Sequence, residues 1–500
     1  MEKRFIIGID EGTTSERVVL YDIKTNKILD NDSAQIKMSY PKSGWVEQDA
    51  KEIFNSVLRS IKNIITRNKL KQQDVLGIAI TNQRETVVAW DDFGNPVGPA
   101  IVWQCRRTAE FCDSISQKDK EWLRKKTGLI MDAYFSVSKM KWILENNKHA
   151  QKCAKEGTLH MGTIDSYLVY CLTKGKSFVT DTTNASRTML VDLKSLQNGV
   201  FDFDKDLLKY FGIDRAFLPR IVNSAECVGN VECAGLNLPI LSIVGDQQGS
   251  LFGQGCFKKG QAKNTYGTGC FFMQNVSTDI EESLKASKLL TTVAWSIKGK
   301  TYYAVEGSIF HAGSMSQWLV EGVNLVEDVS QIEKMCTALK SNEGVYLFPA
   351  FTGIGAPYWN GFLRAEFSGL TLATKREHFV RACMESICYL TNDILSYAKT
   401  FGFSTDKLVC DGGVSKNNFV MQFQADILNK KIYKSMQSES TVMGAIYLAM
   451  ISAGVVKSTT ELTKFLQSPK EFIPQMTKKQ RESNLLGWQK VVQKVLEKQK

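Results

Sequence analysis

Asp10, followed by Gly12-Thr13-Thr14-Ser15, is the first cluster in the sequence with a chemistry of its own. Glycine lets backbone N–H groups approach phosphate oxygens and the hydroxyls add donors. The neighbouring carboxylate can hold a divalent cation directly or through water. The same residues also make an ordinary surface hairpin turn, and locally both readings stand. Farther on, Asn82-Gln83-Arg84-Glu85 follows the apolar run Gly77-Ile78-Ala79-Ile80-Thr81. Arg and Glu at the carboxyl end of a strand suit a pocket for hydroxyl groups, or a surface ion pair. Trp103, in Ile101-Val102-Trp103-Gln104, either walls a small pocket or fills core. Asp246, in Gly245-Asp246-Gln247-Gln248, is a candidate general base or a helix N-cap. Gly412-Gly413, ahead of Asn417-Asn418, suits an adenine or ribose against bare backbone, or a plain strand-to-helix turn. Other nucleotide motifs are missing: Gly175-Lys176-Ser177 ends like a P-loop, but Tyr170 stands where its first glycine belongs. His149, His160, His311 and His378 have no metal-ligand spacing.

The elements that must position these residues alternate between strand and helix, which predicts an α/β chain. Phe5 to Asp10 and Arg17 to Asp22 read as a hairpin, with a further strand through Lys24-Thr25-Asn26. Asp49-x-x-Glu52 resembles a capping box. Behind it Ile53, Phe54, Val57, Leu58, Ile61, Ile64 and Ile65 share one helical face. Thr86 to Trp90 and Leu238 to Gly245 read as buried strands. A second half restarts near residue 257, where Ala262 to Asn275 forms another hairpin around Gly267-Thr268-Gly269. Each half thus carries a glycine- and threonine-tipped hairpin, and two tips across a cleft could grip one polyphosphate. Helices are expected over about Phe379 to Lys399, Asn418 to Leu428 and Val442 to Ser452, and a strand over Lys407 to Asp411.

With 500 residues, 43% hydrophobic, 23% charged and only nine prolines, the chain has material for two to four packed domains and none of the bias of a disordered one. Ahead of Asp10 the apolar stretch is too short for a secretory signal. The uncharged run Ser440 to Val456 is 17 residues and reads as a buried helix rather than a membrane span. Twelve cysteines without CxxC spacing read as reduced core thiols of a cytoplasmic protein. The net charge of +11 is concentrated toward the end, where from Lys457 to Lys500 ten Lys or Arg stand against four Glu. That segment reads as a helix with a basic solvated face and an apolar face of Leu485, Leu486, Trp488, Val491, Val492 and Val495. No nucleic-acid motif accompanies it.

Taken in order, the blocks resemble the glycerol kinases, FGGY-type carbohydrate kinases of the actin/hexokinase superfamily. They are Gly8-Ile9-Asp10-x-Gly12-Thr13-Thr14-Ser15, Ile80 to Thr86, Trp103 to Arg107, Thr182 to Arg187, Gly245 to Gln248, Lys263 to Cys270 and Asp411 to Gly413. Tyr134-x-Ser136-x-x-Lys139-x-x-Trp142 is similar to the family's first signature. Phe367-x-Gly369-Leu370 with His378 to Glu385 is similar to the second. The resemblance covers about residue 5 to about residue 490. It implies two actin-like, ribonuclease-H-like domains with the active site in the cleft between them. Residues 1–256 would carry the glycerol site and the first phosphate loop, and 257–500 the second phosphate loop and the adenosine site.

By the same resemblance, Thr13, Thr14, Ser15, Arg17 and Thr268 would meet the ATP phosphates, and Gly313, Gln317, Gly413 and Asn417 the rest of the nucleotide. Asp10 would serve Mg²⁺. Arg84, Glu85, Tyr134, Asp246 and Gln247 would bind glycerol, with Trp103 and Phe271 against its carbons and Asp246 as general base. A homodimer is implied too, with no nucleic-acid partner and no membrane span. The rivals are an FGGY kinase for another polyol or pentulose, and a non-catalytic actin-fold nucleotide switch.

Two departures stand out. Glu11 and Glu16 replace the usual Gln and Ser of the phosphate loop, adding negative charge near phosphates. Glu11 is expected at solvent, on Arg17, or in the metal's water shell, the last being favoured. The segment Val231 to Leu236 lacks the glycine/arginine loop and the histidine of regulated bacterial relatives, so control by a sugar bisphosphate or by histidine phosphorylation is not expected.

Overall fold

The computed structural model describes residues 3–278, 280–437 and 439–497. The near-continuous apolar runs of the first half become central strands because both faces of their sheet are covered. Phe5–Glu11 pairs antiparallel with Ser15–Asp22, setting Asp10 opposite Arg17, and Ser15–Asp22 pairs with Lys27–Gln35. Val75–Asn82 and Leu236–Gly245 add in parallel on the other side of Phe5–Glu11, and Gly229–Cys233 closes the edge. On one face Ile7, Ile9, Val18, Leu20, Ile78 and Ile80 pack with Ile53, Val57, Ile61, Ile64 and Ile65 of the helix Ala50–Arg67. Asp49 caps that helix by accepting from the backbone N–H groups of Lys51 and Glu52.

The second half repeats the plan. Gln261–Tyr266, Cys270–Ser277 and Lys300–Ile309 form the antiparallel set, with Leu290–Ile297 outside it. Lys407–Asp411 and Ile432–Lys434 add in parallel beside Gln261–Tyr266. Three antiparallel strands followed by two parallel ones on the flank of the first is thus the order in both sheets. Sequence gives only a hint of this repeat; topology makes it plain. A smaller four-stranded sheet of Glu47–Gln48, Ala100–Ile101, Val87–Trp90 and His160–Thr163 is attached to the first half and carries Trp103 at its rim.

The halves meet where Thr182, Ser186 and Ser224 bond to Thr292 and Ser296, and again at two helices, each following the last parallel strand of its own sheet. Asp246–Gly253 crosses Ser440–Ser452 at Gly249, Gly253 and Gly444. A Cβ on Gly444 would overlap the Gly249 carbonyl, and one on Gly253 the Ser440 carbonyl, so the crossing is backbone on backbone. The helix Ser440–Ser452 also covers the second face of the first sheet, against Ile6, Val19, Tyr21, Ala79, Leu241 and Val244.

The uncharged run near residue 440 is therefore a buried helix. Among the described residues no helix is long and apolar enough to cross a membrane. All twelve cysteines are free thiols, and nine of them besides Cys105 are buried. One expectation fails in detail. The last helix, Lys478–Glu497, buries Trp488, Val491, Val492 and Val495, but Leu486 faces solvent, because its packed stripe is narrower than the apolar pattern.

Candidate functional site

The tip of the first hairpin is closed by the Gly12 N–H donating to the Ser15 carbonyl at 3.0 Å. Side chains from outside then hold it. Gln48 Nε2 donates to the Thr13 carbonyl at 2.5 Å, and Trp103 Nε1 donates to Thr13 Oγ1 at 2.9 Å. Gln48 Oε1 accepts from Gln83 Nε2 at 3.0 Å, and Gln83 Oε1 accepts from Thr86 Oγ1 at 2.9 Å. Thr86 Oγ1 in turn stands 3.3 Å from the Trp103 N–H, closing a ring of polar contacts around Thr13. Thr14 is exposed, and Ser15 begins the second strand. Arg17 forms an ion pair with Glu439 of the second half instead of standing free beside the tip.

The two departures are not where the sequence puts them. Glu16 is buried under the helix Ala50–Arg67, accepting from Ser56 Oγ at 2.9 Å and Ser60 Oγ at 2.7 Å. Strand alternation turns it off the face that carries Arg17, so it adds no charge at the tip. Glu11 reaches neither solvent nor Arg17 nor the open cleft. It is fully buried, with Oε1 accepting from Gln83 Nε2 at 2.8 Å and Oε2 without a partner among the described residues. Burial pushes its pKa well above the usual carboxylate range. Asp10, half-buried, is raised to about 7 by burial and then by the charges of Asp246 and Glu439, with Arg17 opposing.

At the carboxyl ends of Val75–Asn82 and Leu236–Gly245 the chain builds a dense ionic cluster. Arg84 and Glu85 are buried, so the surface-pair alternative falls. Arg84 Nε lies 3.1 Å from Asp246 Oδ1, its Nη1 2.7 Å from Glu306 Oε2, and its Nη2 3.4 Å from the Tyr134 hydroxyl. Glu85 is held at φ +61°, a strained left-handed backbone for a side chain of this size. Its Oε1 accepts from Arg187 Nε at 2.5 Å. The Arg187 guanidinium lies over Tyr134 and Phe135, and Tyr134 packs edge-on against Trp103 with centroids 5.6 Å apart. Asp246 is not the N-cap, which is Gly245; it is the first helical residue. Its Oδ1 accepts from the Gln247 N–H at 2.6 Å as well as facing Arg84, and Oδ2 remains turned to Gln247 Nε2 at 3.5 Å.

The second hairpin is anchored differently. Gly267 O accepts from the Gly313 N–H at 2.8 Å, and Thr268 O from the N–H groups of Ala312 and Ser314 at 2.9 and 3.2 Å. A Cβ on Gly313 would stand 2.7 Å from the Gly267 carbonyl oxygen. Gln317, one helical turn on, is exposed. Phe271 is the second residue of the return strand, opposite Thr265. Gly412 has φ +87°, Gly413 is exposed with open space around it, and Asn417 caps Asn418–Leu428 through Oδ1 on the Val420 N–H at 3.3 Å.

Several participants escape sequence reasoning. Glu306, in the strand Lys300–Ile309, is fully buried and is held down to about 2 against its burial by Arg187 and Arg84. A lone carboxylate in an apolar strand is the signal that could have found it. Lys139 Nζ donates to the carbonyls of Ala133, Tyr134 and Phe135 at 2.9, 2.6 and 3.0 Å, fixing the segment that carries Tyr134. Lys263 is buried at the floor of the same cluster.

Comparison with known proteins gives a consistent picture. Residues 5–253 match the N-terminal domain of the FGGY family of carbohydrate kinases, and residues 262–453 its C-terminal domain. A glycerol kinase of Clostridium perfringens is 42% identical over 499 residues, 98% of each chain. One of Francisella tularensis is 44% identical over 503 residues, 99% of this chain and 98% of the relative. The crystal structure of Plasmodium falciparum glycerol kinase with ADP superposes with a TM-score of 0.89 at 34% identity, covering 99% of both chains. A xylulose kinase from Lactobacillus acidophilus shares the fold at a TM-score of 0.84 and 22% identity.

Proposed function

This chain belongs to the FGGY family of carbohydrate kinases, and on that premise we propose that it transfers the γ-phosphoryl group of ATP to glycerol, giving sn-glycerol 3-phosphate and ADP. The observation that carries the reading is the position of Asp246. Its carboxylate opens a helix at the carboxyl end of a parallel strand, with Oδ1 occupied by Arg84 and the Gln247 N–H. Oδ2 is therefore the atom that takes the hydroxyl proton as the glycerol oxygen attacks the γ-phosphorus and the bond to ADP breaks. Arg84, Glu85, Tyr134 and Gln247 hold the hydroxyls, and Trp103 and Phe271 line the carbons. Thr13, Thr14, Ser15 and Thr268 meet the phosphates, with Arg17 once released from Glu439. Gly313, Gln317, Gly413 and Asn417 receive the nucleoside.

Asp10 suits Mg²⁺. Its hard oxygens are of the right chemistry, and Asp246 and Glu439 add negative charge around it that a cation would offset. Among the described residues no three His, Cys, Asp or Glu side chains form a metal cage. When bound, Mg²⁺ would neutralise charge on the phosphates. The division into domains of residues 1–256 and 257–500, a homodimeric state and a cytoplasmic location complete the proposal. The free thiols support the last.

The test is an assay of ADP release with glycerol, ribitol and xylulose as acceptors. Each hydroxyl left without a partner costs about 1–3 kcal/mol, so glycerol should exceed the five-carbon compounds by well over tenfold in kcat/KM. Parity with xylulose would sink the glycerol assignment, and light-scattering measurement of the mass in solution decides the dimer.

A further inference from the structure

Lys263 stands on Gln261–Tyr266, the strand that leads into the second hairpin, with its side chain fully buried. Its Nζ donates to Gln247 Oε1, across the boundary between the halves, and to Thr265 Oγ1 at 3.0 Å. We propose that Lys263 is a positioning residue for the phosphoryl acceptor, locking the Gln247 amide so that only its NH₂ faces the polyol and Asp246. This rests on the reading of Gln247 as a polyol ligand.

The argument is one of donors and acceptors. An ammonium has three donors and no acceptor, so the Gln247 atom against it must be the carbonyl oxygen. The amide NH₂ then points the other way, where it stands 3.5 Å from Asp246 Oδ2. On the side that faces Asp246, Gln247 therefore presents a donor to a polyol oxygen and no acceptor. A hydroxyl seated there accepts from the amide and has its own proton free for Asp246 Oδ2, the direction that deprotonation requires. A flipped amide would offer an oxygen instead and compete with Asp246 for that proton. Burial lowers Lys263 to about 8, with Arg84 also lowering it, while Asp411, Glu306 and Asp246 hold it up, so it is still an ammonium at neutral pH. Because Lys263 belongs to the second sheet and Gln247 to the helix leaving the first, the contact also registers the acceptor against the second phosphate loop.

The decisive experiment is a double-mutant cycle on the full-length enzyme. Lys263→Met should raise the glycerol KM at least tenfold while the ATP KM stays within twofold. In a Gln247→Ala background the same change should move the glycerol KM by less than threefold, since the amide through which Lys263 acts is gone. Equal effects in both backgrounds would make Lys263 a structural residue only and overturn the proposal. Gln247→Glu decides independently, and alone if Lys263→Met does not fold. It keeps a partner for Lys263 and its oxygens can accept, but it has no NH₂, so the glycerol KM should again rise at least tenfold. An unchanged or lower KM would overturn the proposal. Absence of ADP release from the wild type with glycerol would instead sink the functional reading, and the cycle would then be run on whichever acceptor the panel selects.

Discussion

The two hairpins occupy the same place in two sheets of the same strand order, yet they are held by different means. The first is gripped by side chains, with Gln48 and Trp103 on Thr13 and two carboxylates buried beside it. The second is gripped mainly by backbone, its carbonyls accepting from the N–H groups of Ala312, Gly313 and Ser314, with the Ser314 hydroxyl adding one side-chain bond to Thr268 O at 3.1 Å. Trp103 is proposed to line the glycerol site as well, so the first hairpin is wired to the acceptor. The second is wired to a helix that carries Gly313 and Gln317, proposed to receive the nucleoside. Repetition of topology has left room for a division of labour between the copies.

The sharpest way to break that comparison is at Asp246. If the first half owns the proton chemistry, Asp246→Asn should lower kcat by roughly 10²–10⁴ with ADP affinity nearly unchanged. A kcat within a few-fold of wild type would move the base elsewhere.

Next comes Glu306, the second half's contribution to the acceptor cluster. Glu306→Gln leaves Arg84 and Arg187 short of a buried countercharge, which costs about 3–5 kcal/mol by analogy with other broken buried pairs. The native state holds Glu306 at about 2 against an ordinary 4.5, so between those values the unfolded chain binds more protons. Its stabilisation is complete above about pH 4.5 and is lost as pH falls through about 2. Chemical denaturation at pH 7 should show the loss. A pH series should show that the variant lacks this part of the wild-type acid decline.

The anchoring itself is separable. Gly313→Ala pushes a methyl toward the Gly267 carbonyl and should raise the ATP KM about tenfold, by roughly 1.4 kcal/mol of lost binding, with the glycerol KM little changed. Trp103→Phe removes one neutral hydrogen bond, about 1 kcal/mol, from Thr13. It should raise the KM for both substrates by about fivefold. If Trp103→Phe affects glycerol alone, the first hairpin is not coupled to the acceptor.

The smallest effect is expected at Glu11. The side chain is enclosed and favours its neutral form, which has the shape of the Gln usual in the family. Glu11→Gln should leave kcat, both KM values and the Mg²⁺ requirement within threefold; a marked rise in that requirement would return Glu11 to the metal.

Much of this was legible in sequence. The strands and helices follow from apolar runs and periodicity, and Asn418–Leu428 and Lys407–Asp411 fall where the pattern puts them. Asp246 and Arg84 are conspicuous as charges ending apolar runs. What a linear pattern does not carry is the face on which a residue lies once strands pair. Glu11 and Glu16 look alike as loop carboxylates, yet pairing directs both inward, one to Gln83 and the other to Ser56 and Ser60. Nor does it carry partners hundreds of residues away, which is why Glu306 and the Arg17–Glu439 pair emerge only from the fold.

The glycine crossing of Asp246–Gly253 and Ser440–Ser452 has a mechanical consequence. With carbonyl resting on Cα, the two helix backbones can approach no further, and the Ser250 and Ser440 hydroxyls meet at 3.3 Å beside the crossing. A side chain larger than glycine at Gly253 or Gly444 would therefore push the halves apart at this crossing. Asp246 sits only three residues from Gly249 on the same helix. Any displacement at the crossing would therefore reach the proposed base through less than one turn of helix.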